Sequence, residues 1–145
     1  MITRRALLLS AVPLATAGSV RAAPVAVTLY KNPECGCCEG YADYLRQHGF
    51  EVTSKPTNEL AEISRKAGVP AELQGCYTAF IGDYVVDGHV PVEAINKLLA
   101  ERPPIKSITL PGMPAGSPGM PGKKIGPFTI YAVGQDGKPS VFMTL

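Results

Sequence analysis

The sequence lacks an excess of charge of either sign once its first 22 residues are set aside. The formal charge of +2 includes Arg4, Arg5 and Arg21. Without these three, 11 Lys and Arg residues face 12 Asp and Glu residues, a balance of about −1. Proteins that bind nucleic acids through their phosphates need a basic surface. The domain therefore lacks the basic composition expected of a protein that binds nucleic acids.

The sequence also lacks a hydrophobic run long enough to cross a membrane. The apolar run at residues 6–18 is too short, because a spanning helix needs about 20 apolar residues. It follows Arg4-Arg5 and precedes the small-residue motif Val20-Arg21-Ala22, which is the pattern of a cleavable export signal. We predict a signal peptide at residues 1–22 and a domain at residues 23–145.

The arginine pair resembles the twin-arginine motif of signals that export folded proteins. An ordinary secretory signal with two adjacent arginines is the alternative. No cysteine ends the apolar run, so a lipid anchor is not indicated. We expect the domain to act outside the cytoplasm, with no membrane insertion after signal cleavage.

The pattern of the domain predicts alternating strands and helices. Apolar or β-branched runs predict strands at residues 25–30, 50–53, 76–82 and 84–88. Segments with apolar residues at helical spacing predict a helix after the first, second and fourth of these strands. The order β-α-β-α-β-β-α, with a cysteine cluster between the first strand and the first helix, predicts an α/β fold consisting of a single thioredoxin-like domain.

The C-terminal part of the chain differs in composition. Residues 111–127 are rich in Pro and Gly, and Pro111-Gly112-Met113-Pro114 recurs as Pro118-Gly119-Met120-Pro121. Such a segment cannot form a helix or a central strand. Residues 128–133 and 140–145 resume a strand pattern. We therefore predict a long functional loop at 111–127, followed by a C-terminal β-hairpin.

Three of the four cysteines fall within four residues, at Cys35, Cys37 and Cys38. Cys35 and Cys38 have the C-x-x-C spacing of dithiol redox motifs and of metal sites. The start of a helix favours thiolates, because its unpaired N–H groups and its dipole stabilise an anion. Three thiolates this close repel one another unless a cation or a disulfide neutralises them. This repulsion favours a soft metal ion.

The fourth cysteine strengthens the metal hypothesis. Thioredoxin-like oxidoreductases carry a cis-proline before the third strand, opposite the active dithiol. Here the corresponding residues are Gly75-Cys76-Tyr77-Thr78, without a proline. On the predicted topology Cys76 faces Cys35, Cys37 and Cys38, so that four thiols converge.

The type of ligand indicates the metal. Four thiolates suit one tetrahedral zinc ion, but adjacent cysteines reach a single tetrahedral ion only with strain. Thiolates that bridge more than one Cu(I) ion accommodate Cys37 and Cys38 better, and Cu(I) favours thiolate and thioether ligands. Copper is therefore the first candidate and zinc the second. Met113 and Met120 are candidate thioether donors, or parts of a lid that packs on the core.

The domain contains five motifs in a recognisable order: Asn32-Pro33-Glu34-Cys35-Gly36-Cys37-Cys38, Gly68-Val69-Pro70, Cys76-Tyr77-Thr78-Ala79, Gly88-His89-Val90-Pro91, and the Pro/Gly/Met repeat. Together they resemble an exported, thioredoxin-like metal-binding family with a CxCC motif. This family was long labelled a domain of unknown function and includes CopG-type copper-resistance proteins.

The resemblance implies periplasmic copper binding through Cys35, Cys37, Cys38 and Cys76, and a role in copper tolerance. It also implies other periplasmic copper-handling proteins as partners. The family usually has histidine at the position of Tyr77, so this tyrosine is a candidate for a residue that supports the ligands.

Two other classes of function compete with copper binding. The first is a thiol oxidoreductase that uses Cys35 and Cys38. The second is an interaction module whose structure is cross-linked by disulfides. An enzyme is not the favoured interpretation, although copper-linked thiol redox activity is compatible with the same residues. His89 is expected to form a cap or a hydrogen bond near the ligands rather than to bind the metal.

Overall fold

The structure of the protein is a computed structural model, and it describes residues 23–145. The predicted signal peptide at residues 1–22 lies outside the described residues. None of the helices within residues 23–145 combines the length and the apolar character that a membrane-spanning helix requires.

The described residues form a mixed α/β fold. Its strands are β1 (Val25–Lys31), β2 (Phe50–Pro56), β3 (Tyr77–Ile81), β4 (Tyr84–Gly88), β5 (Ile105–Leu110), β6 (Thr129–Gly134) and β7 (Pro139–Thr144). Its helices are α1 (Gly36–Gln47), α2 (Leu60–Lys66) and α3 (Val92–Glu101), with one 3₁₀ turn at Ala71–Leu73. The α/β fold predicted from the sequence is confirmed, and the order of elements from β1 to α3 is the predicted one.

All the strands belong to one sheet, in the order β2-β1-β3-β4-β5-β6-β7. β1 pairs with β2 in parallel and with β3 in antiparallel orientation. β3 and β4 form an antiparallel pair, and β4 pairs with β5 in parallel. The predicted hairpin of β6 and β7 is present and extends the sheet through β5.

Strand β5 is absent from the prediction made from the sequence. Ile105–Leu110 lies between the two prolines that follow α3 and the Pro/Gly segment, and the sequence interpretation assigns no element to it, although its two isoleucines and its threonine are typical of a strand. Its partners are β4, from which α3 separates it in the chain, and β6, from which the long loop separates it. The local composition suits a strand, but the pairing with these distant segments decides its position in the sheet.

The two faces of the sheet are covered by different helices. Val27 and Leu29 face a core that includes buried residues of α1 and α3. Thr28 and Tyr30 alternate with them and line a groove on the other face, together with Ile63 of α2. Successive side chains of a strand point to opposite faces. The main core therefore lies between the sheet and the pair α1 and α3.

Candidate metal centre

Three of the cysteines lie at the start of α1. Cys35 occupies the N-cap position in extended backbone conformation, and Cys37 and Cys38 lie in the first turn. Cys76 immediately precedes β3. Because β3 runs antiparallel to β1 with Tyr77 opposite the last residue of β1, the chain leaving β1 and the chain entering β3 meet at one end of the sheet. This register brings Cys76 to the cysteines of α1.

The sulfur atoms of four cysteines lie within 4.8 Å of one another: Cys35, Cys37, Cys38 and Cys76. Cys37 Sγ is 3.4 Å from Cys35 Sγ and 3.6 Å from Cys76 Sγ. Cys38 Sγ is 3.4 Å from Cys76 Sγ. The prediction that Cys76 faces the cluster is confirmed.

Two of these cysteines are joined in the structure. Cys35 and Cys38 form a disulfide, and Cys37 and Cys76 are free thiols. Cys38 Sγ lies 3.3 Å from the Cys76 carbonyl oxygen, but a disulfide sulfur carries no proton to donate. That contact becomes a hydrogen bond only when the disulfide is reduced, which takes two electrons and two protons. Only the reduced protein therefore offers four thiols.

The surroundings of Cys76 favour its protonated form. Burial raises the pKa of the Cys76 thiol, and the neighbouring Cys37 raises it further. A buried thiolate without a nearby cation is unfavourable. A metal ion would supply that positive charge and displace the proton.

His89 is buried and connects Cys76 to the Pro/Gly/Met loop. Its Nδ1 lies 2.6 Å from the Pro118 carbonyl oxygen, which can only accept, so we assign the ring proton to Nδ1. Its Nε2 lies 3.3 Å from Cys76 Sγ and accepts from the thiol. Burial lowers the pKa of the His89 imidazole and favours its neutral form. His89 therefore forms hydrogen bonds with both its ring nitrogens, and its role beside bound metal stays a prediction.

Tyr77 packs against His89 from inside the core. Its ring stacks on Tyr41 with centroids 4.6 Å apart and meets the edge of His89 at 5.4 Å. The Tyr77 hydroxyl donates to the Gly88 carbonyl oxygen. The tyrosine thus packs against the histidine that contacts Cys76, and the role predicted for it in supporting metal ligands stays a prediction.

The loop at residues 111–127 lies against the cysteine site. Pro118 supplies the carbonyl that accepts from His89. The next residue, Gly119, lies directly on α1, since a Cβ added there would be 2.6 Å from the Tyr41 nitrogen and 2.9 Å from the Cys37 carbonyl oxygen. The absence of a side chain at Gly119 allows this close approach.

The two methionines of the loop have different surroundings. Met120 is partly buried and follows Gly119, so its backbone lies beside the first turn of α1. Met113 is 41% exposed. Within residues 23–145, neither thioether sulfur forms a hydrogen bond with a cysteine, and neither methionine belongs to the core cluster against which Cys35, Cys37 and Cys76 pack. Their role as thioether donors or as a lid stays a prediction.

A buried lysine ties the cysteine-bearing segment together. Lys31, the last residue of β1, is only 4% exposed. Its Nζ lies 3.3 Å from the Pro33 carbonyl oxygen and 3.1 Å from Glu39 Oε1 on α1. The ammonium group therefore links the end of β1, the turn before Cys35 and the first turns of α1.

Asp87 is a buried acidic residue that the sequence does not single out. Its carboxylate accepts from the Gly75 backbone N–H and, at 2.8 Å, from the Thr78 hydroxyl. Burial raises the pKa of the Asp87 carboxyl group to about 6. The available sequence signal is an acidic residue directly after the apolar run Tyr84-Val85-Val86 in a predicted strand.

The fold and the site define a mixed α/β protein with a cluster of sulfur atoms of the kind that holds soft metal ions. A family model described as "Protein of unknown function, DUF411" matches residues 73–120, a segment that includes Cys76, His89 and both methionines of the loop. Comparison with curated proteins gives no match.

Two solved structures are similar over almost their whole length. They are described as "Copper resistance protein copG", form 1 and form 2. Each is 32% identical in sequence to this chain, with a TM-score of 0.78, and the match covers 84% of this chain and 98% of the other. This chain belongs to the DUF411 family with CopG-type proteins, which confirms the resemblance found in the sequence motifs.

Proposed function

We propose that this chain is a periplasmic copper-binding protein that holds Cu(I) with cysteine thiolates and acts in copper resistance. The observation that carries the proposal is the convergence of four sulfur atoms within 4.8 Å. Cu(I) prefers sulfur ligands, and closely spaced thiolates can bridge more than one such ion. The copper-resistance function of the two similar structures supports copper over zinc, which is the second candidate.

The proposed ligands are the four cysteines of the cluster: Cys35, Cys37, Cys38 and Cys76. Reduction of the Cys35–Cys38 disulfide precedes full loading, and each thiol releases its proton as the metal binds. Met120, which is partly buried and directly follows Gly119 on α1, is the better placed of the two methionines to add a thioether, because Met113 is exposed. His89 orients the Cys76 thiol through Nε2.

Three finer assignments belong to the same proposal. The parallel pair β1 and β2, flanked by the antiparallel pair β3 and β4, is the arrangement of a thioredoxin-like domain, and we propose that residues 23–145 form one. We propose residues 1–22 as the signal peptide that directs the chain to the periplasm. The expected partners there are a metal ion and other copper-handling proteins.

A second candidate function is thiol–disulfide exchange. The disulfide between Cys35 and Cys38 favours it, and the partly exposed Cys35 is the accessible sulfur of the pair, because Cys38 is fully buried. In this reaction the Cys35 thiolate attacks a substrate disulfide and releases one substrate thiol. Cys38 then displaces the second thiol and closes the disulfide, so that the substrate gains two electrons.

Matched cysteine variants separate the two functions. Under the copper proposal, Cys76→Ser and Cys35→Ser both lower the amount of Cu(I) bound by the anaerobically reduced protein. Under disulfide exchange, Cys35→Ser abolishes turnover of a disulfide substrate, whereas Cys76→Ser retains it. Metal analysis and thiol counting on each variant provide the measurement. A wild-type protein that is fully reduced and still binds no Cu(I) would contradict the copper proposal.

A further inference from the structure

One carboxylate holds the chain on both sides of Cys76. Asp87, in β4, is fully buried. Its Oδ1 accepts from the N–H of Gly75, the residue before Cys76. Its Oδ2 accepts from the hydroxyl of Thr78, two residues after Cys76, at 2.8 Å. The cysteine that approaches the cluster from β3 therefore sits between two points fixed by the same side chain.

The packing at Gly75 shows how closely this segment is pressed onto β4. A Cβ added at Gly75 would lie 2.7 Å from the Gly88 Cα and 3.1 Å from Asp87 Oδ1. Real Cβ atoms do not approach backbone this closely, so only glycine fits at the position. The missing side chain lets the Gly75 N–H reach the carboxylate.

A chain of hydroxyl groups extends this contact to α2. The Thr78 hydroxyl lies 2.5 Å from the Ser64 hydroxyl, and Ser64 Oγ lies 3.0 Å from the Leu60 carbonyl oxygen. Ser64 and Thr78 are both buried. The carboxylate is thus connected to α2 through the Thr78 hydroxyl, and this network restricts the position of Thr78.

Stability alone is a poor explanation for this carboxylate. Moving a charged group into the interior is costly even when it is hydrogen-bonded, and apolar replacements of similar shape are often as stable. Two hydrogen bonds that flank one member of the sulfur cluster indicate a geometric role. Small displacements of a ligand are enough to weaken a metal site, and residues behind the ligands commonly control that geometry.

We propose that Asp87 is a positioning residue that fixes the segment Gly75–Thr78 so that Cys76 Sγ points into the sulfur cluster. The expected effect on Cu(I) affinity rests on the proposed copper function, whereas the positioning of Cys76 does not. Asp87→Ala removes both acceptors. Asp87→Asn keeps an acceptor for the Gly75 N–H and presents an amide donor to the Thr78 hydroxyl, which can then donate to Ser64.

The matched control is Asp83→Ala. Asp83 is the acidic residue of the β3–β4 turn, and its carboxylate is exposed and paired only with Arg102 at 3.2 Å. Loss of that exposed pair should change little. The control tests whether removal of any carboxylate from the same pair of strands produces the effect.

The first measurement is amide hydrogen exchange on the metal-free, reduced full chain. We expect the Gly75 amide to exchange about tenfold faster or more in Asp87→Ala. Asp87→Asn and Asp83→Ala should preserve its protection. The Phe80 amide, which lies in the middle of β3 opposite Val85, reports global opening and should change less than Gly75 in every variant. Equal acceleration at Gly75 and Phe80 would overturn the local role.

The second measurement is Cu(I) affinity in competition with bathocuproine disulfonate. We expect a loss of about 10- to 100-fold in Asp87→Ala and recovery to within about threefold of wild type in Asp87→Asn. Asp83→Ala should match wild type. Equal affinities of Asp87→Ala and wild type would overturn the positioning role and leave the copper proposal intact. A wild-type chain that binds no Cu(I) would instead contradict the copper proposal, while the exchange data still decide the geometry.

If Asp87→Ala does not fold, Thr78→Val replaces it. This variant has nearly the same shape, removes the bond to Oδ2 and the contact with the Ser64 hydroxyl, and leaves the bond from the Gly75 N–H to Oδ1 in place. An accelerated Gly75 amide and a several-fold weaker Cu(I) affinity would support the inference. Unchanged values of both would overturn it.

Discussion

Tyr77 directly follows Cys76 in the chain. The structure gives the tyrosine a packing role: it is fully buried, stacks on Tyr41 and touches the edge of His89. His89 supplies the imidazole that contacts Cys76. The aromatic pair below His89 restricts how far that ring can move.

The buried hydrogen bond of the Tyr77 hydroxyl can be tested by substitution. Tyr77→Phe leaves the Gly88 carbonyl without its donor in a buried position, so we expect a loss of about 1–3 kcal/mol in the free energy of unfolding. Tyr84→Phe is the matched control, because the Tyr84 hydroxyl donates at 3.0 Å to the Pro103 carbonyl at a partly buried position that water can reach. Urea denaturation of both variants provides the measurement. Equal losses in the two variants would argue against a buried role for the Tyr77 hydroxyl.

Single residues also show how far the site could be predicted from the sequence. Cys35, Cys37 and Cys38 are close together in the chain, so their cluster was visible directly. Cys76 was assigned to the same place because the predicted order of strands put it there, and the sulfur distances confirm it. Asp87 was missed, because its importance depends on contacts with Gly75 and with Thr78 from another strand.

At the scale of elements, the loop at residues 111–127 is the least regular segment and still closely packed. The Gly116 N–H donates to the Pro121 carbonyl, and the Met120 N–H to the Ser117 carbonyl. The Ser117 hydroxyl donates to the Pro114 carbonyl at 2.7 Å, and Ser117 is buried. Turns within the loop thus provide partners for some of its backbone groups, which do not pair as a strand.

The two glycines of the repeated tetrapeptide have the same backbone conformation but different surroundings. Gly112 and Gly119 both have positive φ, +82° and +79°, so alanine at either position carries a backbone cost of about 1–2 kcal/mol. Only at Gly119 would the new Cβ also collide with α1, at 2.6 Å from the Tyr41 nitrogen, whereas nothing lies within 4 Å at Gly112.

We therefore expect Gly119→Ala to lower the free energy of unfolding clearly more than Gly112→Ala. It should also separate Pro118 from His89, which would appear in the nuclear magnetic resonance spectrum as a changed His89 Nδ1 proton signal. Similar stabilities and similar His89 spectra for the two variants would contradict the docking of the loop on α1.

At the scale of the whole molecule, the C-terminal hairpin is part of the main sheet. Ile130 and Ala132 of β6 belong to the same core as α1 and α3, while Val133 packs on the opposite face with Val69 and Leu73. The long loop therefore bridges two neighbouring strands of one sheet, β5 and β6, and its two ends are held by their pairing. This arrangement keeps the loop over the cysteine site.

The buried carboxylate predicts how the stability of the whole molecule depends on pH. Burial raises the pKa of Asp87 from 3.8 to about 6, so the folded state favours the protonated form. The contribution to stability is therefore fully present below pH 3.8 and is lost as the pH rises through about 6. A shift of this size corresponds to about 3 kcal/mol.

Comparison of the wild type with Asp87→Asn isolates this contribution, because the amide does not titrate. We expect the free energy of unfolding of the wild type, minus that of the variant, to decrease by about 2 kcal/mol from pH 4 to pH 7, because the unfolded-state carboxyl is already partly ionised at pH 4. Burial lowers the pKa of His89, which destabilises the fold as the pH falls, but both proteins share that effect. Urea denaturation across this range provides the measurement, and parallel curves would contradict the prediction.

Features that depend on neighbours in the chain could be recognised without the structure. These are the alternation of strands and helices up to α3, the cysteine cluster at the start of α1, the hairpin and the irregular loop. Periodicity, capping and turn residues act over a few positions, so one sequence is enough to recognise them.

Features that join distant segments of the chain became visible only in the folded molecule. Strand β5 exists because β4 and β6 pair with it, and the cysteine cluster is completed by Cys76 because β3 pairs with β1. The same folding buries His89 and Asp87 behind Cys76, where the imidazole contacts its sulfur and the carboxylate holds its backbone. These contacts depend on register and burial, which arise from the packing of the entire sheet and leave little trace in the local sequence.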